Sequence, residues 1–347
     1  MFNKLRWKKM VCTSLIVCSI LYWTRNRILF SEDRQARLTR SSVKMTPTQL
    51  QRTNVPDDFT FIDNKWRFSN LCKPYKTFLN HSDFPLIKYT SDAGSVNIFT
   101  HSLKDGISSI ISRTGAFELK TINRVIYQLQ LDPNMNLIDI GTNVGQHCIA
   151  AALIERNSIA IDAAKSNIEH VCASAHYLNI GSRITLIHNI LSDSNGKREF
   201  RYSASEADFG SIHVDSDGIW DKMNKQYNGY FSNKTVQQNS ATLDDLLYLP
   251  QIKQFQKVFI KMDVEGHEHR VLLGGTEFFK RIDVHGIIME WNWHVKRQTA
   301  EIIKTLMTEW NFKPFKMLTT TERDLSKINS DMWPPDVLLL PSKYLEY

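Results

Sequence analysis

Helical and strand-like segments alternate along the chain from about residue 116 to its end. Short apolar runs at 137–140 and 258–262 have the length of buried strands, and amphipathic stretches such as 116–131 and 299–310 separate such runs. Strands joined by helices run in the same direction, because each helix returns the chain to the end of the sheet at which it started. The pattern therefore predicts an α/β fold with a mostly parallel sheet and helices on both faces.

The same pattern gives the individual elements. The predicted helices cover residues 116–131, 145–156, 167–179, 267–280 and 299–310, and the predicted strands cover residues 137–140, 158–161, 184–190, 258–262 and 286–290, with a last pair that ends at 336–340.

Five segments follow from composition. They are a short tail (1–9), an uncharged apolar run (10–23), a polar stem (24–56), short alternating segments that suggest strands (57–114), and the α/β domain (115–347). Residues 1–44 hold ten of the 43 Lys and Arg residues against two of the 36 Asp and Glu residues, so the rest of the chain is close to neutral despite the net charge of +7. This distribution argues against nucleic-acid binding by the domain.

The apolar run predicts a membrane anchor. Its 14 residues span roughly 21 Å as a helix, short of the roughly 30 Å hydrocarbon core, which favours a thin early-secretory membrane. Bulky and charged residues follow the run in place of a cleavage site, so we expect an uncleaved signal anchor. The glycosylation sequons at Asn80 and Asn233 favour a single-pass type II protein with a luminal domain in the Golgi or endoplasmic reticulum. Because the first 31 residues are rich in Arg and free of acid, a mitochondrial presequence is the alternative.

Three cysteines lie beyond the apolar run, at positions 72, 148 and 172. Cys148 and Cys172 fall in predicted helices, where we expect buried apolar thiols. The odd number and the spacing predict neither a disulfide framework nor a metal site.

A glycine-rich loop follows the first strand of the domain. Asp139, Gly141, Asn143 and Gly145 stand between a buried strand and a helix, where glycines allow backbone amides to approach a ligand at the carboxyl edge of the sheet. The loop lacks the G-x-G-x-x-G order of pyrophosphate sites and starts with a carboxylate, which suits the amino group of a cationic amino acid. It predicts a nucleotide-like, positively charged ligand.

The next two strands end in further polar residues. Asp162 ends the second strand, where a carboxylate can accept both hydroxyl groups of a ribose. Ser192 and Asp193 follow the third strand and are candidates to bind an adenine amino group, with turn formation as the alternative.

These residues resemble a known family. The stretches 136–145, 241–247 and 260–268, with Gly274-Gly275 and residues 288–290, are similar to FkbM-type methyltransferases over about residues 115–293. One departure is Ile161-Asp-Ala-Ala164, where the family tends to show Phe-Glu-Pro. Asp162 has a shorter side chain than the Glu of the family, so its carboxylate reaches less far toward the ribose. The resemblance implies a class I methyltransferase (Rossmann-like) fold with a seven-stranded sheet, S-adenosylmethionine as the methyl donor, and methylation of a hydroxyl oxygen.

The segment after the fourth strand is the predicted catalytic segment. Asp263 and Glu265 leave that strand at the carboxyl edge, where a base can remove the proton of an acceptor hydroxyl; Asp263 is the better placed. His294, after the fifth strand, is a second candidate base. His267 and His269 resemble metal ligands in type only, since residues two apart on a helix face different sides, and we predict no metal and solvated side chains.

The acceptor is the least constrained part of the prediction. Tryptophans at 291, 293 and 333 suit sugar faces but also suit an ordinary core, and the long segment 199–239 has the length of a substrate loop. We predict an O-methyltransferase that acts on a hydroxyl of a secretory-pathway glycan. Two alternatives stay open, a nicotinamide-dependent oxidoreductase on a related sheet and a non-catalytic, membrane-tethered binding domain.

Overall fold

The computed structural model of the chain describes residues 55–72, 84–203, 210–214, 231–317 and 322–345. Its strands are β1 (Asp57–Ile62), β2 (Lys65–Phe68), β3 (Leu86–Ser91), β4 (Gly94–Phe99), β5 (Met135–Ile140), β6 (Ser158–Asp162), β7 (Ile184–His188), β8 (Ile190–Leu191), β9 (Gly196–Ser203), β10 (Ile212–Val214), β11 (Phe231–Ala241), β12 (Lys257–Met262), β13 (Asp283–Glu290), β14 (Phe312–Met317), β15 (Glu322–Asp324) and β16 (Asp336–Pro341). Its helices are α1 (Gly106–Thr114), α2 (Leu119–Gln130), α3 (Gln146–Leu153), α4 (Lys165–Tyr177), α5 (Glu268–Leu273), α6 (Thr276–Arg281) and α7 (Gln298–Glu309).

One large sheet organises the domain, with the strand order β15-β14-β16-β13-β12-β5-β6-β7-β1-β2. The six strands from β13 to β1 are parallel, and β16 and β2 run against their neighbours. The predicted seven strands are present as β5, β6, β7, β12, β13, β14 and β16. The prediction of seven was too few for the whole sheet, because residues 57–68 add β1 beside β7 and then β2, and β15 extends the other edge.

The parallel strands form where they do because their side chains are apolar and buried on both faces. All six residues of β5 and all five of β6 are buried. Full burial of an Ile or Leu side chain contributes roughly 1.5–3 kcal/mol, so these short strands are strongly held. The chain passes from β5 to β6 on one side and later returns to place β12 on the other, which leaves a crevice at the carboxyl end of β5.

Two predicted segments have a different secondary structure in detail from the one expected. The single helix predicted at 267–280 is two helices, α5 and α6, separated by Gly274 and Gly275. A Cβ at Gly274 would overlap the carbonyl oxygen of Ser192, so the chain turns there at a close backbone approach. The predicted substrate segment 199–239 contributes β9, β10 and part of β11 to a second sheet of order β10-β9-β11-β8.

A disulfide joins Cys72 to Cys172 on α4, with the two Cα atoms 5.4 Å apart. The expectation of a free thiol at Cys172 was therefore wrong, whereas Cys148 is a free, buried cysteine as predicted. The pairing was hidden because the partners are 100 residues apart and meet only through the tertiary fold.

Within the described ranges, no helix is long and apolar enough to cross a membrane. The predicted anchor at 10–23, the stem up to residue 54 and the Asn80 sequon lie outside those ranges.

Candidate active site

A cavity of about 360 Å³ lies at the carboxyl ends of β5, β6 and β12. Its volume is within the range of about 300–1,000 Å³ that is typical of small-molecule sites. The loop after β5, the end of β6 and residues 189–191 form one end; Glu118, Glu290, Asn292 and Asp336 line another part. Lys261 and Asp263 at the end of β12 also line the cavity, so the strand ends supply most of its polar groups.

Gly141 brings the loop after β5 against the loop after β12. It has a φ of +81°, and a Cβ at this position would overlap the carbonyl oxygen of Asp263. The backbone amide of Gly141 donates to the carbonyl of Ile161 (2.9 Å), and that of Asp263 donates to Ile140 (2.9 Å). Only glycine fits this left-handed conformation and close approach at once.

Asn143 and Asp162 connect the first two strand ends at the cavity wall. Asn143 has a φ of +49°, and its backbone amide donates to Oδ2 of Asp162 (2.9 Å). Asp162 also accepts from the amide of Ala164 (2.8 Å) and from Asn167 Nδ2 (3.1 Å). Burial outweighs these bonds and raises the pKa of Asp162 to about 7. Gly141, Asn143 and Asp162 thus line the cavity where a cofactor was predicted to bind.

Asp139 and Gly145 are not among the residues that line the cavity, and their contact with the cofactor stays a prediction. Asp139 is completely buried and accepts from Thr142 Oγ1 (2.8 Å), and burial raises its pKa to about 6. A Cβ at Gly145 would lie 2.8 Å from Cγ2 of Val171, so this glycine allows α3 to pack closely on α4. Both residues shape the loop from beneath.

Ser192 and Asp193 also lie outside the cavity lining, which corrects the adenine prediction. Asp193 forms ion pairs with Arg198 (2.6 Å) and Arg270 (2.5 Å). Ser192 is fully buried, and its hydroxyl donates to Asp193 Oδ1 (3.1 Å) and lies 3.0 Å from Nε2 of His267. Neither side chain is available to an adenine ring.

Four carboxyl groups and one lysine line the part of the cavity next to the end of β12. Lys261 is 1% exposed and pairs with Asp263 (3.0 Å), which also lines the cavity. Glu118, Glu290 and Asp336 add three further carboxyls to the same lining. Burial and the neighbouring carboxylates raise the pKa of Glu118 to about 8 and that of Glu290 well above its usual range. Although burial opposes it, Lys261 holds the pKa of Asp263 below its usual value.

The other two predicted catalytic residues differ in position. Glu265 has a φ of +54° and lines the cavity. His294 does not line it: the ring is fully buried and bonded to Glu268 Oε2 (2.8 Å) and Thr299 Oγ1 (2.9 Å). Glu268 Oε1 in turn accepts from the amide of Val264 (3.0 Å). The base prediction for His294 is corrected, because the ring braces the loop after β12 from outside the cavity.

His267 and His269 are each 2% exposed, so the expectation of solvated side chains was wrong. Oxygens of Asp263, Glu268 and Glu290 lie within 4.8 Å of one another, as in some metal sites. Both oxygens of Glu268 already accept hydrogen bonds, however, and we assign no metal to this group.

The tryptophans do not form a sugar-stacking rim around the cavity. Trp291 is fully buried, donates from Nε1 to the carbonyl of Ser330 (2.8 Å) and has its ring 4.7 Å from that of Trp333. Both are core residues, the alternative considered for Trp291. Part of the predicted substrate segment does reach the cavity, at residues 210–212 and Val214.

Several cavity residues were not predicted from sequence: Glu118, His147, Lys261, Glu290 and Asp336. A usable signal existed for Lys261, a charge within an apolar strand, and for Glu290 and Asp336, which stand at strand ends on the same edge. Among the described residues, four lining side chains carry a buried atom without a hydrogen-bond partner: Asn143 Oδ1, His147 Nε2, His267 Nδ1 and Glu290 Oε2. Such atoms are where a bound ligand gains hydrogen bonds.

Two of the solved structures with a similar fold are methyltransferases. An S-adenosylmethionine-dependent O-methyltransferase from Thermotoga maritima is 10% identical, with 82% of this chain and 85% of that chain covered and a TM-score of 0.32. Magnesium protoporphyrin IX methyltransferase from Synechocystis is 13% identical, with coverages of 64% and 78% and a TM-score of 0.33. At these values the similarities carry no further argument.

The sequence comparison is decisive. No curated protein matches the sequence significantly. Residues 139–314, just over half of the chain, match the family model of the methyltransferase FkbM domain. The match spans the loop after β5 and the segment after β12, which form the cavity, and it confirms the family and the methyl donor. The chain belongs to the FkbM methyltransferase domain family and is an S-adenosylmethionine-dependent methyltransferase.

Proposed function

We propose that the protein transfers a methyl group to a hydroxyl oxygen of a sugar, on a glycan of the secretory pathway. The observation that carries this proposal is the carboxyl-lined part of the cavity, formed by Glu118, Asp263, Glu290 and Asp336. Sugar hydroxyls both donate and accept hydrogen bonds. The Asp263 carboxylate accepts such bonds strongly, and the carboxyl groups of Glu118 and Glu290, whose pKa values are raised, can donate as well as accept. Asn292, which also lines the cavity, adds an amide that can donate and accept.

The other end of the cavity fits the methyl donor. Three of the four acceptor positions of the Asp162 carboxylate are occupied, and we assign the remaining one, on Oδ1, to a ribose hydroxyl. Asn143, next to it in the cavity lining, offers an unpartnered Oδ1. Gly141 leaves the space into which a side chain would project. S-adenosylmethionine supplies a methyl group on a cationic sulfonium. Among the described lining residues, Asp263 keeps a pKa below its usual value and so offers a negative charge suited to that cation.

Asp263 and Glu265 have different proposed parts in the reaction. The Lys261–Asp263 ion pair fixes the Asp263 carboxylate at the end of β12, where it can accept the hydrogen bond of the acceptor hydroxyl and align its oxygen. Glu265, in a left-handed conformation in the same loop, shapes the cavity wall.

The buried Cys72–Cys172 disulfide supports a secretory location, because such bonds form and persist in oxidising compartments. We propose a type II membrane protein anchored through residues 10–23, with the domain in the lumen. The full-length protein expressed in secretory cells should lose apparent mass on glycosidase treatment. Asn80→Gln combined with Asn233→Gln should abolish that shift; an unshifted wild-type band would contradict the luminal orientation.

Acceptor class is tested by following radioactive methyl transfer from S-adenosylmethionine to a panel of p-nitrophenyl glycosides of neutral hexoses and N-acetylhexosamines. We expect labelled glycosides with wild-type protein and strongly reduced labelling with Asp263→Asn. Cofactor binding without transfer to any of these glycosides would contradict the sugar acceptor and leave the family assignment intact.

A further inference from the structure

His267 also lines the cavity, yet it has no part in the proposal above. The ring is 2% exposed, and Nε2 lies 3.0 Å from the hydroxyl of Ser192. Among the described residues, Nδ1 has no hydrogen-bond partner. A buried imidazole nitrogen without a partner next to a substrate cavity requires an explanation.

The neighbours of His267 favour one of the two ring nitrogens as the site of the proton. The single hydroxyl hydrogen of Ser192 has two acceptors within reach, Asp193 Oδ1 (3.1 Å) and His267 Nε2 (3.0 Å), and the charged carboxylate is the stronger of the two. When the hydroxyl donates to the carboxylate, its oxygen accepts from Nε2, and the proton of the ring lies on Nε2. In a neutral ring, Nδ1 then carries a free lone pair.

The ionic partners of Asp193 fix this arrangement. Burial alone would raise the pKa of Asp193, but Arg270 and Arg198 hold it below its usual value, so the carboxylate only accepts hydrogen bonds. Four charged or titratable side chains influence the His267 ring: His269, Arg198, Arg270 and Asp193. Burial is the largest cause of a lowered pKa of about 3 for His267, so the ring is neutral in the resting protein.

We propose that His267 is the general base, and that Nδ1 takes the proton of the acceptor hydroxyl. This inference rests on the proposed function. Ser192 does not line the cavity, and the two ring nitrogens point to opposite sides of the imidazole, so a ring tied to Ser192 through Nε2 presents Nδ1 away from that tie. Ser192 and Asp193 are positioning residues, because they act through His267.

The proton balance of this step is complete. The hydroxyl oxygen forms a bond to the methyl carbon, the electrons of the broken carbon–sulfur bond stay on sulfur, and the hydroxyl proton moves to Nδ1. The oxygen becomes a very strong acid as it is alkylated, so even an imidazole of lowered pKa can accept its proton. The imidazolium returns the proton to water after product release.

Two substitutions separate the ring's two roles. His267→Gln places an amide N–H near the position of Nε2 and keeps the bond to Ser192, but it removes the base. Ser192→Ala keeps the base and removes the group that fixes the tautomer. With the glycoside panel described above, we expect kcat to fall about 10²-fold or more in His267→Gln and by a smaller factor in Ser192→Ala, with unchanged S-adenosylhomocysteine affinity in both.

Nitrogen-15 NMR of the full-length protein labelled at histidine, combined with the kcat measurements, tests the proposal. The inference predicts for His267 a protonated Nε2, a bare Nδ1 and a neutral ring at pH 5, and a second tautomer in Ser192→Ala. A protonated Nδ1, or a kcat of His267→Gln close to that of wild type, would overturn it. If no glycoside is methylated, the sugar acceptor fails, and the NMR spectrum alone decides the state of His267.

Discussion

Gly141 lies so close to Asp263 that a Cβ at position 141 would overlap the carbonyl oxygen of Asp263. The two residues end neighbouring parallel strands, β5 and β12. The contact joins the loop proposed to face the cofactor to the loop that carries the candidate catalytic groups. A change at Gly141 should therefore disturb both functions together.

Gly141→Ala should weaken S-adenosylhomocysteine binding by at least about tenfold and lower the free energy of unfolding by more than about 1 kcal/mol, because a left-handed conformation and a steric overlap act together. Gly94→Ala is the matched control: Gly94 has a φ of +125°, and a Cβ at this position would meet no other atom within 4 Å. Calorimetric titration and urea unfolding of both variants measure the two effects. Equal losses in the two variants would show that the overlap is unimportant.

The disulfide should contribute strongly to stability. It closes a loop with a sequence separation of 100 residues, and loss of a native disulfide typically costs about 2–5 kcal/mol. Cys72→Ala with Cys172→Ala should lower the free energy of unfolding by that amount, and a reductant should destabilise the wild type but not the double variant. Cys148→Ala, which leaves the bond in place, should remain sensitive to reductant; a wild type indifferent to reductant would contradict the bond.

Asp162 should make stability depend on pH. Its folded-state pKa of about 7 lies above the unfolded value, so the folded protein binds the extra proton, and stability falls as pH rises from the unfolded to the folded pKa. Lowering pH from 8 to 6 should stabilise the wild type relative to Asp162→Asn by about 1 kcal/mol.

The control for this comparison is Asp132→Asn. The ion pair with Lys257 lowers the pKa of Asp132, so that group does not titrate between pH 6 and 8. Urea unfolding at both pH values gives the comparison. An Asp162→Asn variant with the same pH dependence as wild type and Asp132→Asn would show that Asp162 does not titrate in this range.

His294 should matter for stability and not as a base. Its ring is bonded to the fully buried Glu268, and removing one partner of a buried pair costs roughly 3–5 kcal/mol. His294→Ala should unfold at much lower urea concentration, whereas the conservative His294→Gln should recover part of the loss. A stable His294→Ala protein with normal cofactor affinity and no methyl transfer would instead restore His294 as a candidate base.

The local pattern of apolar and polar residues was sufficient to predict the parallel sheet of this fold. The apolar runs at β5, β6 and β12 and the loop from Asp139 to Gly145 identified the parallel sheet and its functional edge. Pattern could not separate residues that face the cavity from those that support it: Asp139 lies beneath the loop, and Ser192 lies outside the cavity. That distinction depends on where side chains point after the strands assemble.

Long-range contacts explain the other features of the structure that the sequence did not predict. Cys72 meets Cys172, and β1 joins β7, only because the segment before the domain folds back along the edge of the sheet. Glu118 gave no sequence signal at all, since it precedes a helix and reaches the cavity through a left-handed turn with a φ of +52°. The sequence showed the presence of His267, but its contact with Ser192, 75 residues away along the chain, forms only in the tertiary fold.

The cavity at the ends of β5, β6 and β12 should bind S-adenosylmethionine. Isothermal titration of S-adenosylhomocysteine into the full-length protein in detergent tests it most directly, with Asp162→Ala and Asp132→Ala compared side by side. We expect one site per chain, with affinity lost in Asp162→Ala and kept in Asp132→Ala. Unchanged affinity in Asp162→Ala, or no binding to the wild type, would contradict it.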